Sequence, residues 1–81
     1  MIIEWTRGHI LLEMDGKLVK VYGEGLLAQP GEVCYIVYTT SIKKYEQPHE
    51  NEIIEDKDRI RIIDIINNHA IEKNMMIEFE L

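Results

Sequence analysis

The side chains able to do chemistry in this chain are one cysteine, Cys34, three histidines, His9, His49 and His69, and a run of carboxylates between positions 46 and 58. Nucleophilic catalysis would need Cys34 or a hydroxyl beside an activating base, and no spacing here builds such a pair. Cys34 lies in the apolar, β-branched run Val33-Cys-Tyr-Ile-Val-Tyr38, where a thiol packs as a small apolar group. His9 falls on the mixed face of a predicted strand, and His69 comes late in a predicted helix, where an imidazole suits the negative end of the dipole. His49, Glu50, Glu52, Asp56 and Asp58 are metal-ligand types, but their spacing lacks the turn glycine and the twelfth-position Glu of a calcium loop. Gly23-x-Gly25 lacks the lysine and third glycine of a phosphate loop and leads into no helix. The residues therefore predict no catalytic group, no metal and no cofactor.

Recognition is the remaining reading. Glu46, Glu50, Glu52, Glu55, Asp56 and Asp58 stand against Lys57 alone, and this stretch carries five of the six formal negative charges of the chain. A lobe of that sign repels phosphate and attracts a basic surface, which argues against sequence-independent nucleic-acid binding. Tyr45 and His49 interleave with Glu46, Glu50 and Glu52, the pattern of an aromatic anchor ringed by carboxylates. The expected partner-binding residues are thus Tyr45, Glu46, His49, Glu50, Glu52, Glu55, Asp56 and Asp58.

The elements that must hold this lobe can be read locally. Eighty-one residues with 46% hydrophobic content make one domain with a single core. Asp15-Gly16 favours the positive-φ turn of a two-residue hairpin between His9–Met14 and Lys17–Tyr22. Pairing Met14 with Lys17 then sets Leu12 opposite Val19 and Ile10 opposite Val21 on a core face, with Leu11 opposite Lys20 and Glu13 opposite Leu18 on the other. Val33 to Tyr38 predicts a buried strand near the sheet centre, and the polar segment 41–51, with Pro48, a loop. From about Glu55 to Lys73, Ile60, Ile63, Asn67 and Ala70 recur at helical spacing with Ile62 and Ile66 beside them, while Arg61, Asp64 and Asn68 form a polar face. Asn74 is placed to end that helix, and residues 75–81 alternate as a last strand with Met75, Ile77, Phe79 and Leu81 inward.

The expected fold is α+β: an antiparallel sheet of four to five strands in the order β-β-β-α-β, with Ile2 to Trp5 as the optional extra strand. One amphipathic helix can cover one sheet face only. The other, carrying Leu11, Leu18, Tyr22 and, if the register extends, Cys34, Ile36 and Tyr38, is a surface for a partner or for a second copy, so a homodimeric interaction module is the rival reading. The N-terminus lacks a basic region followed by an apolar core, and no apolar run approaches the roughly 20 residues of a membrane helix, so a reducing cytoplasm is the expected setting.

Over most of its length the chain also resembles a bacterial family. Ser41-Ile-Lys-Lys-Tyr-Glu-Gln-Pro-His-Glu50, Ile53, the acidic helix start and Arg59-Ile-Arg-Ile-Ile-Asp-Ile-Ile66 are similar to the immunity protein 74 family. Thr6-Arg-Gly-His-Ile10, Asp15-Gly-Lys17, Gly23-Glu24 and Ile77-Glu-Phe79 extend the likeness. The resemblance implies a non-enzymatic cytosolic protein encoded beside a polymorphic or contact-dependent growth-inhibition toxin, which it binds and neutralises. Such toxin domains are often nucleases. Two positions depart from the pattern. Gln47 stands where a second proline would precede Pro48, and Ile54 stands where a capping Ser, Thr or Asp would be natural, moving the expected cap to Asn51 or Asp56.

Overall fold

A computed structural model describes residues 1–81 and contains strands β1 (Ile2–Trp5), β2 (His9–Met14), β3 (Lys17–Gly25), β4 (Tyr35–Tyr38) and β5 (Ile77–Glu80), with helix α1 (Asp56–Glu72) between β4 and β5. The architecture is α+β, with a five-stranded sheet in the order β1-β2-β3-β4-β5. Asp15 and Gly16 both take positive φ, 55° and 78°, so the β2–β3 turn has the predicted hand. The predicted register follows in full, from Met14 opposite Lys17 to Ile10 opposite Val21.

The sheet departs from the expected all-antiparallel arrangement. β1 to β4 run antiparallel in sequence, but β5 pairs with β4 in parallel, because α1 carries the chain back across the sheet between them. β3 is therefore the central strand. β4 lies next to the edge and begins at Tyr35, so Val33 and Cys34 fall outside it, although the Cys34 amide donates to the Met76 carbonyl at 2.8 Å.

The glycines of Gly23-Glu-Gly25 have a packing explanation. A Cβ on Gly23 would come within 2.4 Å of the Tyr35 ring and 2.6 Å of the Ile36 carbonyl oxygen. Only a bare backbone lets Tyr35 cross β3 there. The same stretch is bordered by the β1–β2 turn, with the Gly23 and Gly25 amides donating to the Gly8 and Arg7 carbonyls.

The helix sits rotated from the predicted stripe. Its fully buried residues are Ile62, Ile66 and Ala70, spaced by four, while Ile60 is 61% exposed and Asn67 is exposed. This rotation lets His69 stack on Trp5, with ring centroids 5.5 Å apart, and sends Arg61 to Asp15 at the hairpin tip. The helix ends as Asn74 suggests: Asn74 takes φ 56°, its amide bonds Ile71 O, and the Met75 amide reaches back to Ala70 O at 2.8 Å, a Schellman closure. β5 is shorter than predicted, with Ile77 and Phe79 half-buried and Leu81 98% exposed. The core joins Ile10, Leu12, Val19, Val21, Tyr35 and Val37 of the sheet to Ile62 and Ile66 of the helix, and Ile42, Tyr45 and Ile54 enter it from the connecting loop.

Candidate functional site

The lobe is built on the excursion from residue 42 to 54. Lys44 and Ile53 form an antiparallel bridge and the Ile54 amide bonds Lys43 O, so the two legs are tied to each other, and the Glu46 amide bonds Leu18 O on β3 at 2.8 Å, tying the first leg to the sheet. Between the legs the chain turns tightly through a cis Gln47–Pro48 bond, with the His49 amide on Glu46 O and the Glu52 amide on His49 O. Ile42, Tyr45 and Ile54 plug the excursion into the core. Backbone bonds between the legs, one bond to β3 and the apolar plugs thus fix a segment whose composition reads as a loop.

The buried plugs correct two sequence expectations. Tyr45 is 5% exposed, so it is not an anchor presented to a partner; it supports the lobe from beneath. Ile54 stands in place of a cap because that side chain fills the core. The N-cap is Glu55, rather than Asn51 or Asp56, and its side chain makes no capping hydrogen bond, so Asp56 and Asp58 in the first turn complement the dipole instead.

Sequence separation hid a further feature: cations from β3 and α1 reach into the lobe. Lys17 Nζ donates to Glu52 Oε1 at 2.6 Å and lies 4.9 Å from the Tyr45 ring centroid. His49 Nδ1 lies 2.8 Å from the other oxygen, Glu52 Oε2. Lys20 Nζ is 3.9 Å from Glu46 Oε1. Arg61 donates two bonds to Asp15, at 2.8 and 3.1 Å, and a third to Asp58 at 3.3 Å. The hydrogen bond from Lys17 holds the Glu52 carboxyl below its usual range, and that from Arg61 does the same for Asp15. Glu52 and Asp15 in turn raise Lys17 and Arg61, again chiefly through these bonds. All four are solvated, so the pairs orient the lobe more than they stabilise the domain.

The predicted site residues therefore divide by what they touch. Glu46, Glu52 and Asp58 are engaged by cations from the scaffold, and His49 is spent on Glu52. Glu55 has only its neighbour Lys57 at 3.7 Å, and Glu50 and Asp56 form no ion pair. One Glu50 oxygen, Oε2, is shielded from solvent and accepts no hydrogen bond from the chain. Beside these carboxylates Ile53 is 81% exposed. It is the apolar group at the lobe surface that composition did not single out. The adjacent pair Ile53-Ile54 carries the signal, since alternation at a bridge sends one side chain in and the other out.

The other candidates are occupied structurally. His9 is half-buried, with Nε2 2.8 Å from Glu4 Oε1 and Nδ1 3.2 Å from Thr6 Oγ1. No three His, Cys, Asp or Glu side chains converge as a metal cage. A groove of about 360 Å³ between the N-terminus and α1, lined by Met1, Ile2, Ile65, Asn68, His69 and Glu72, shares no residue with the lobe. No helix is long and apolar enough to cross a membrane.

Comparison with known proteins gives one match: a family model described as immunity protein 74 aligns with residues 2–80. No curated protein and no solved structure matches the chain.

Proposed function

Since the chain belongs to the immunity protein 74 family, we propose that it binds and neutralises a cognate toxin domain in the producing cell's cytoplasm through the lobe formed by residues 46–58. The observation that carries this reading is Ile53, 81% exposed and flanked in sequence by Glu50, Glu55 and Asp56, which make no ion pair with another element. An exposed apolar group in a segment whose carboxylates at 50, 55 and 56 pair with no other element suits a basic surface that also offers an apolar pocket. A nuclease supplies such a surface where it binds phosphate, so the lobe would compete with the nucleic-acid backbone for the same cations.

On this reading Glu46, Glu52 and Asp58 act through the scaffold, because their cations already neutralise them, and Glu50, Ile53, Glu55 and Asp56 make the contacts. Association is steered by charge and weakens as ionic strength rises. The test is a charge reversal of Glu50, Glu55 and Asp56 to lysine, with Ile53→Ser as a separate variant, read by survival of cells co-expressing the toxin domain and by the association rate at low and high salt. Both variants should lose protection while keeping wild-type circular dichroism. Intact protection in both, or an association rate indifferent to salt, overturns the lobe as the binding surface.

A further inference from the structure

We infer that the uncovered face of the sheet is a second docking surface, and that its occupant is an arginine-bearing basic surface of a protein rather than a second copy of this chain. Strand register places Leu11, Leu18, Tyr22, Ile36 and Tyr38 on the face opposite α1. Tyr22 is 53% exposed, and the antiparallel register sets Tyr22 and Tyr38 on the same side of the Gly23–Val37 pair, so two aromatic residues are cross-strand neighbours on that face. The parallel addition of β5 brings Glu78 beside Ile36 and Glu80 beside Tyr38. Glu24 lies opposite Ile36, and its Oε2 accepts the Tyr38 hydroxyl at 3.1 Å. Glu13, paired with Leu18, and Glu4, paired with Leu11, extend the same sign towards β1. Against these five carboxylates the face carries Lys20, which leans to Glu46, and His9, which is held by Glu4.

The charge pattern selects the occupant. Two copies packed face to face would set glutamates against glutamates around an apolar centre, and like charges brought together in an interface disfavour that pairing. An arginine side chain satisfies both features at once: its planar guanidinium stacks on a tyrosine ring while its donors fork to a carboxylate such as Glu24 or Glu78. A lysine matches the charge but not the stacking.

The inference rests on the reading that the partner is basic, yet it concerns residues outside the lobe, so the two can fail separately. The experiment titrates isotope-labelled protein with a hexa-arginine and a hexa-lysine peptide at low salt, following backbone amides by NMR. The amides of Tyr22, Glu24, Ile36 and Glu78 should move with hexa-arginine, at an affinity about threefold or more above that for hexa-lysine. Tyr22→Ala and the double variant E78K/E80K should each abolish those shifts, while the lobe variant E50K/E55K/D56K leaves them in place. Shifts confined to residues 46–58, or equal affinity for the two peptides, overturn the inference without touching the lobe. A wild-type dimer by sedimentation that Tyr22→Ala dissociates also overturns it, in favour of self-association. If E78K/E80K does not fold, Tyr22→Ala alone decides, since the exposed tyrosine is not part of the core.

Discussion

Lys17 and Glu52, thirty-five residues apart in sequence, are joined by a 2.6 Å hydrogen bond that fastens the acidic excursion to the tip of the β2–β3 hairpin. The same ammonium sits over the ring of Tyr45, which is itself in the core, so one side chain couples the hairpin, the lobe and the core. The carboxylates that could meet a partner are displayed on a segment held in this way.

Removing that link should loosen the lobe before it unfolds the domain. Lys17→Met is expected to speed hydrogen exchange at the Glu46, His49 and Glu52 amides and, because it frees the Glu52 carboxylate and makes the lobe one charge more negative, to speed low-salt association with a basic partner, with little change in thermal midpoint. A large drop in midpoint, with exchange raised uniformly across the sheet, would show instead that the pair is a stability element.

Acid should act on the same contacts. Glu52 and Asp15 have carboxyl pKa values depressed by Lys17 and Arg61, so their stabilisation is present above the unfolded carboxylate range, near pH 4, and is lost as pH falls through the lower folded values. Acid titration of the double variant E52Q/D15N should therefore show a shallower fall in stability below about pH 5 than wild type. Equal slopes would remove these two groups from the acid response.

Tyr45 tests the division between support and contact. Truncation to alanine should cost about 3–5 kcal/mol by chemical denaturation, as for other buried aromatics, whereas Tyr45→Phe should leave both stability and toxin binding near wild type. Burial also raises the phenol pKa values of Tyr45 and Tyr35, so stability present below their unfolded values should be lost as pH rises past about 10. A strong binding defect in a fully stable Tyr45→Phe would return this residue to the interface.

Glu55 occupies the N-cap without capping, so stability and function should part there. Glu55→Ser is expected to raise stability by about 0.5–1 kcal/mol by supplying the missing side-chain acceptor, while removing one lobe charge and slowing association. A serine variant that gains stability and binds unchanged would place Glu55 outside the contact.

Gly23→Ala should destabilise the domain by about 1–3 kcal/mol in urea denaturation, since the added methyl meets the Tyr35 ring and a backbone carbonyl at once. Gly8→Ala, with open space around it, is the control expected to stay near wild type.

Much of this protein was determined locally. The Asp15-Gly16 turn, the Ile10–Val21 register, the acidic first turn of α1 and the left-handed Asn74 all follow from residues within a few positions of one another, where backbone preference decides. The excess of carboxylates between 46 and 58 was equally plain, because composition needs no fold. Tertiary structure decided the rest. Tyr45 and Ile53 are both apolar-bodied residues in one polar loop, and only the Lys44–Ile53 bridge and the pairing of Glu46 with Leu18 send the first inward and the second out. The helix rotation answered to Trp5 and Asp15 rather than to its own isoleucines, which are too numerous to specify one stripe. The neutralisation of Glu52 by Lys17 and of Asp58 by Arg61 depends on where chain topology brings distant charges, and Coulomb attraction follows distance in space rather than separation along the chain.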